Sequence, residues 1–119
     1  MQEDCTVYAT MGLVSKRWSM LVLLEMHRVG GAPKGFNELK RGLCGITPKV
    51  LAARLRELEA EGLVSRRQDA GRIPARTLYT LTPAGQELIA VVKDVKRWAL
   101  KWKVENRACA ALDCSECGL

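Results

Sequence analysis

The chain has little histidine and little phenylalanine or tyrosine. Of its 119 residues, one is histidine, one is phenylalanine and two are tyrosine. A single histidine, His27, is weak support for a metal site or for acid–base catalysis. His27 also stands near the end of a predicted helix, where a cation is favoured. We therefore do not assign it a catalytic role.

Long apolar runs are missing as well. No stretch approaches the roughly 20 apolar residues of a membrane span, and the first residues lack the basic-then-apolar pattern of a signal peptide. We expect a cytoplasmic protein with no membrane partner. In a reducing compartment its five cysteines are expected to be free, reactive or metal-bound. Their odd number argues against a closed set of disulfides.

The charge is unbalanced towards the positive side. Nineteen Lys and Arg against 13 Asp and Glu give a formal charge of +6, which favours a polyanionic partner such as nucleic acid. The length fits one apolar core, and no internal repeat or low-complexity segment is present. We expect one domain over residues 1–104 and a cysteine-rich tail over residues 105–119.

Two helices are predicted in the first third of the chain. Residues 15–28 are apolar on nearly every side, which indicates a buried central helix capped by Ser15. Gly30, Gly31 and Pro33 end it. Asn37 is expected to cap a short helix over residues 38–43.

A third helix follows a tight turn. Thr47 and Pro48 have the residue types of a helix cap and a first helical residue, and Gly62 that of a left-handed stop after Glu61. The core stripe of this helix is Leu51, Leu55 and Leu58. The opposite face carries Lys49, Ala53 and Arg56. That face is a basic and sterically open surface.

Residues 63–67 and 77–81 are short strand candidates, joined by a long tip that Gly71 and Pro74 interrupt. They predict a β-hairpin. Its basic residues are Arg66, Arg67, Arg72 and Arg76. With Asp69 as the only acid, this hairpin is suited to phosphates or a minor groove.

Thr82 and Pro83 open a last helix that is expected to reach about Val104. Its apolar stripe is Leu88, Val91, Val95, Trp98 and Trp102. A helix of about 20 residues spans roughly 30 Å, which is longer than so small a core covers. We therefore predict a two-fold homodimer whose interface includes Val95, Trp98 and Trp102.

This order of elements describes a mainly α fold with a small β-hairpin, the winged helix-turn-helix. The chain resembles the HxlR family of winged-helix transcription regulators, which is related to the MarR-type regulators. The matching residues include Lys16-Arg17-Trp18, Gly35-Phe36-Asn37-Glu38-Leu39, Gly45-Ile46-Thr47, Gly62-Leu63-Val64, Pro74-Ala75-Arg76 and Tyr79-Thr80-Leu81-Thr82-Pro83-Ala84-Gly85. The resemblance implies a homodimer joined by its N- and C-terminal helices, with two recognition helices and two wings on a palindromic duplex operator.

We predict DNA contacts from three segments of this fold. The residues are Asn37, Lys40, Thr47, Lys49, Arg54, Arg56, Arg66, Arg72 and Arg76. Because Pro48, Ala52 and Ala53 lack polar side chains, base readout is expected to depend on Lys49, Arg54 and Arg56 or on DNA shape. The alternative for the helix residues is an ordinary solvated face with ion pairs to neighbouring glutamates.

The predicted sensing residues are Cys5, Cys109, Cys114 and Cys117. In some members of the family that the chain resembles, a cysteine at the position of Cys5 senses oxidants or electrophiles. A helix N-terminus favours the thiolate there, although Glu3 and Asp4 oppose this effect. The tail cysteines have three interpretations: a zinc or iron–sulfur centre completed by Cys5, a thiol–disulfide switch, or no function. Cys44 is expected to be a small buried residue.

These features predict a homodimeric transcription repressor whose operator affinity changes when its cysteines are oxidised, modified or metallated. A thiol oxidoreductase using Cys114 and Cys117 is one alternative. It lacks the βαβ context of such catalysts, so we do not expect an enzyme. The other alternative is a winged-helix module that binds an acidic protein.

Overall fold

The computed structural model describes residues 4–116 and confirms the winged helix-turn-helix. Its helices are α1 (Thr6–Val14), α2 (Arg17–His27), α3 (Phe36–Gly42), α4 (Pro48–Ala60), α5 (Pro83–Trp102) and α6 (Arg107–Ala111), and its strands are β1 (Lys34–Gly35), β2 (Val64–Asp69) and β3 (Arg76–Leu81). The strands form one antiparallel sheet in the order β1-β3-β2. Within this part of the chain, no helix is both long and apolar enough to cross a membrane.

The core lies between α2 and α4. Val22 and Leu23 of α2 are completely buried, as expected for a helix that is apolar on most sides. The predicted α4 stripe is also buried and consists of Leu51, Leu55 and Leu58. Because this stripe is buried, the opposite face of α4 is directed away from the core. α1 differs from both helices in that it buries none of its residues.

Threonine caps start the two helices that flank the hairpin, as predicted. The Thr47 hydroxyl accepts a hydrogen bond from the Val50 N–H at 3.2 Å, and the Thr82 hydroxyl accepts one from the Gly85 N–H at 3.2 Å. Proline follows each cap as the first helical residue, where its missing N–H costs nothing. Gly62, just after α4, has a φ of 77°, which is the left-handed conformation that ends a helix.

Two predicted caps are wrong. Ser15 has helical backbone angles and closes α1, donating its N–H to the Met11 carbonyl, so the extended Lys16 precedes α2. Asn37 lies inside the first turn of α3, because the extended residue before that helix is Gly35. The Gly35 N–H donates to the Glu38 carboxylate at 3.4 Å, so Glu38 and not Asn37 makes the side-chain contact at this helix start.

α1 was expected only from the family resemblance, and two further elements were not predicted at all. β1 is only two residues long and pairs with Leu78 and Tyr79 of β3. α6 lies in the tail, where the Asn106 side chain accepts the Cys109 N–H at 3.0 Å. The hairpin strands also extend further than predicted, to Asp69 and from Arg76, so the tip contains only residues 70–75.

Gly85 provides a test of the junction between the hairpin and α5. A Cβ atom at this position would overlap the Leu63 carbonyl oxygen, whose backbone cannot move without disturbing the sheet. We expect Gly85→Ala to lower the free energy of unfolding by about 1–3 kcal/mol, although alanine is normally better than glycine within a helix. Chemical denaturation measures the change.

The matched control is Gln86→Ala, the next residue of the same helix, which is exposed. Its free energy of unfolding should stay within about 0.5 kcal/mol of the parent value. A Gly85→Ala protein as stable as the parent would show that the junction is looser than described.

Candidate DNA-binding surface and cysteine tail

The outward face of α4 is the centre of a basic surface. α3, a turn with Gly45 at a φ of 93°, and α4 form the helix-turn-helix. Lys49 and Arg56 are exposed, and neither forms an ion pair with another residue between 4 and 116. Thr47, at the helix start, is also exposed. These groups are therefore available to a polyanion.

Arg54 lies on the flank of α4 and is already paired. Its guanidinium is 2.6 Å from the Glu57 carboxylate, which also accepts from the Lys16 ammonium at 3.1 Å. The hydrogen bond from Lys16 is the main reason that the pKa of Glu57 is lowered. This matches the ion-pair alternative, and DNA contact by Arg54 stays a prediction that requires phosphate to replace Glu57.

The hairpin forms a wing whose arginines differ in their surroundings. Arg76 is 3.0 Å from Glu38 of α3, and Arg66 is 3.7 Å from Glu59 of α4. Arg72 is exposed in the tip, where its backbone N–H donates to the Asp69 carbonyl at 3.4 Å. The first two arginines therefore tie the wing to the helix-turn-helix, whereas Arg72 extends beyond it.

α3 adds polar residues to the same surface. Asn37 and Lys40 are both exposed, and DNA contact by each stays a prediction. Arg41 was not among the residues predicted from the sequence, but it is also exposed and lines a surface cavity together with Asn37, Glu38 and Arg76. Its spacing of four residues from Asn37 would have placed it on the same face of a helix.

A separate apolar surface is exposed on the terminal helices. The predicted interface residues of α5 are uncovered in one protomer, with Val95 61%, Trp98 55% and Trp102 65% exposed. α1 adds Val7, Tyr8 and Met11, which are each about half exposed. Large apolar side chains that are exposed together along one side of a helix, as on α5, are typical of an interaction surface.

Among residues 4–116 every cysteine is free, and none is deeply buried. Cys5 precedes α1 and is half-buried, as are Cys109 and Cys114. Cys117 lies outside the described residues. The described members of the set do not form a group of three or more side chains arranged to hold a metal. The prediction for Cys44 is wrong, because it is exposed in the turn before α4.

Comparison with known proteins identifies the family to which this chain belongs. A family model described as HxlR-like helix-turn-helix matches residues 13–107. The chain belongs to this family. The resemblance noted in the sequence is thereby confirmed, and membership makes the chain an HxlR-type helix-turn-helix transcription regulator, a class that binds DNA.

The chain is similar to several transcription regulators, among them YodB of Bacillus subtilis. It is 38% identical to the HTH-type transcriptional regulator YodB over 87 residues, covering 73% of this chain and 74% of YodB. The solved structure of reduced YodB has a TM-score of 0.72 at 31% identity and covers 89% of this chain and 99% of that one. The redox regulator HypR in its oxidised form has a TM-score of 0.70 at 32% identity, covering 84% and 99%.

Beyond the HxlR match, the tail folds back along α5. The Asp113 carboxylate is 2.8 Å from the Lys93 ammonium, and Lys96 donates to the Leu112 carbonyl at 2.7 Å. The Ser115 carbonyl accepts the N–H of Val29, just after α2, at 3.0 Å. The tail is therefore attached to α5 and to the end of α2.

His27 lies under this attachment. Its Nε2 atom is 4.0 Å from the Asp113 carboxylate and is buried without a hydrogen-bond partner in the described chain. Burial, reinforced by the charge of Lys93, lowers the pKa of His27 below 6.5. The Lys93 hydrogen bond is the main cause that holds the pKa of Asp113 far below its usual 3.8.

These shifts predict how stability depends on pH. Because the pKa of His27 is lower in the folded state, the unfolded chain takes up a proton first as the pH falls through 6.5. Stability contributed by neutral His27 is present above that pH and is lost as the pH falls through the folded pKa. We expect the free energy of unfolding to decrease between about pH 7 and pH 5.

Chemical denaturation of the parent and of His27→Gln at both pH values tests this prediction. The variant should lose less stability on acidification. Asp113 does not contribute in this range, because both its folded and its unfolded pKa lie below it. Equal losses in the two proteins would contradict the assignment to His27.

Proposed function

We propose that two copies of this chain bind a pseudo-palindromic duplex operator and repress transcription, and that the state of the cysteines changes operator affinity. The unpaired Lys49 and Arg56 on the outer face of α4 carry the first part of the proposal. Their charges are free for phosphate or guanine, while the neighbouring Arg54 is paired with Glu57. In this arrangement α4 enters the major groove and the wing contacts the flanking backbone.

The exposed apolar surfaces of α1 and α5 support the dimer. Val95, Trp98 and Trp102 share one side of α5, and no core element of the described protomer covers them. A two-fold contact would bury the same side chains of both copies at once. It would also set the distance between the two recognition helices, which must match half-sites roughly 34–36 Å apart.

The distribution of the cysteines supports thiol chemistry. Cys5 and the tail cysteines Cys109 and Cys114 are free and partly accessible, and the related HypR is itself named a redox regulator. Two thiols that form a disulfide give two electrons and two protons to an oxidant such as a peroxide. Zinc or an iron–sulfur centre would need these ligands to be gathered, which one described protomer does not do.

The wing makes a prediction about salt dependence. Arg72→Ala removes an exposed tip charge, so the slope of log affinity against log salt should become shallower by about one unit for each subunit bound. Lys49→Ala should instead cost about 1–3 kcal/mol on the selected operator alone, because it removes a base contact. Fluorescence anisotropy with duplexes selected from a random pool measures both.

The control is Arg97→Ala, which removes another exposed arginine, one that is paired with Asp94 on α5. It should leave the salt slope unchanged. Equal slopes for Arg72→Ala and the parent would remove Arg72 from this role. Failure of the parent to bind any duplex at low salt would favour a protein-binding winged helix instead.

The cysteines make a second prediction. The parent should change operator affinity by about fivefold or more between the reduced and the peroxide-treated protein. Serine variants of Cys5, Cys109, Cys114 and Cys117, each made singly, identify the thiols responsible. Cys44→Ser is the matched control, because Cys44 is exposed but lies outside the predicted set.

Metal and acid-labile sulfide are measured on the same anaerobically purified protein. Affinity that is identical in all states would contradict cysteine sensing while leaving DNA binding intact. Iron with sulfide that is lost in the tail variants would replace the disulfide mechanism by a cluster. A response abolished by Cys44→Ser alone would move the sensor to the turn before α4.

A further inference from the structure

The connection between α2 and β1 has an unusual backbone. Val29, Gly30 and Gly31 have φ values of 55°, 71° and 74°. The left-handed region suits the two glycines, but it is unfavourable for the β-branched Val29. The Val29 side chain is 77% exposed, so its packing cannot compensate. Other contacts must hold this residue in place.

The tail provides such a contact. The Val29 N–H donates to the Ser115 carbonyl at 3.0 Å. On the other side, the Lys34 ammonium donates to the carbonyls of Glu25 and Arg28, which closes the end of α2. The connection is therefore held by β1 from within the domain and by the tail from outside it.

The tail segment is itself fixed by side chains. Asp113 pairs with Lys93 and accepts from the Ser115 hydroxyl at 2.6 Å and from the Ser115 N–H at 3.0 Å. Lys96 holds the Leu112 carbonyl at 2.7 Å. Residues 112–115 therefore form one attached unit, called here the tail latch. Cys114 lies within it, half-buried, between Asp113 and Ser115.

We infer that the tail latch holds the α2–β1 connection in the geometry that binds DNA, and that covalent modification of Cys114 releases it. The connection leads through β1 directly into α3, and β1 pairs with β3 of the wing. Loss of the Ser115 contact would loosen both DNA-binding elements, and the operator would have to order them again. This inference depends on the proposed function for its effect on affinity, but not for the latch itself.

Modification by an electrophilic alkene illustrates the chemistry. The Cys114 sulfur forms a bond to one alkene carbon, the π bond breaks, and the thiol proton ends on the other carbon. No oxidant or reductant is consumed. Because Cys114 is half-buried within the latch, we expect the added group to disturb the segment that holds the Asp113 carboxylate at Lys93 and the Ser115 carbonyl at Val29.

Asp113→Asn tests the latch without modifying any thiol. It removes the charge that pairs with Lys93, and Lys93→Met removes the other partner. The Val29 amide should then exchange with deuterium at least about tenfold faster, and operator affinity should fall by about fivefold or more. Asp94→Asn is the matched control, because Asp94 follows Lys93 on α5 and is paired only with Arg97 in the described chain. It should change neither the exchange of the Val29 amide nor the operator affinity.

Val29→Gly tests whether the latch acts by holding the unfavourable backbone of Val29 or whether Asp113→Asn loosens the whole domain. Glycine adopts the φ of this position without penalty, so the affinity loss caused by Asp113→Asn should shrink in the Val29→Gly background. N-ethylmaleimide should weaken operator binding of a variant that keeps Cys114 alone. The same treatment should have no effect on its Cys114→Ser counterpart.

The outcomes are distinguishable. Unchanged exchange at Val29 in both Asp113→Asn and Lys93→Met would overturn the latch. Faster exchange with unchanged operator affinity would overturn its regulatory role. If the parent binds no duplex DNA, the proposed function fails, and the exchange of Val29 still decides whether the latch exists.

Discussion

Packing of α2 against α4 is the interaction on which the rest of this structure depends. Val22 and Leu23 meet the leucine stripe of α4 in a core that excludes water almost completely. Truncating one such side chain typically costs about 2–5 kcal/mol, a large part of the roughly 5–15 kcal/mol that stabilises a domain. The recognition helix therefore cannot leave its place without unfolding the protein.

What lies outside this core is free to respond to partners. α1 buries nothing, the far half of α5 exposes its tryptophans, and the tail is attached through polar contacts. Such contacts are individually weak in water. The molecule thus combines a rigid DNA-binding centre with peripheral elements that a second subunit or a chemical change can rearrange at small cost.

The arginines show how charge is distributed around that centre. Arg54, Arg66 and Arg76 each face a glutamate, which positions their side chains and partly neutralises them. Lys49, Arg56 and Arg72 lack such partners within the described chain. These charges can be counted in the sequence, but the sequence does not show which of them are paired, because the glutamates come from other elements or neighbouring turns.

The predictable features were those with a local cause. Thr47 and Pro48 predict a helix start, and the spacing of Leu51, Leu55 and Leu58 predicts which side of the helix is buried. The two short strand candidates around a tip with Gly71 and Pro74 predicted the wing, and the family resemblance agreed with it. The tail contacts have no local signal, because Asp113 meets Lys93 only after the chain reverses beyond α5. Exposure of Cys44 depends on how the turn sits against α2, which composition does not reveal.

The hydroxyl of Thr82 has a mechanical consequence. It donates to the Gly62 carbonyl at the end of α4 at 2.6 Å while accepting the Gly85 N–H at the start of α5. One oxygen thereby joins the base of α5 to the end of the recognition helix, and α5 becomes a lever about 30 Å long. Over that length, a tilt of about 5° moves the far end by roughly 2.6 Å. Repacking around the tryptophans would therefore produce only sub-ångström movements at Thr82, small enough for the recognition helix to follow while its leucine stripe stays in the core.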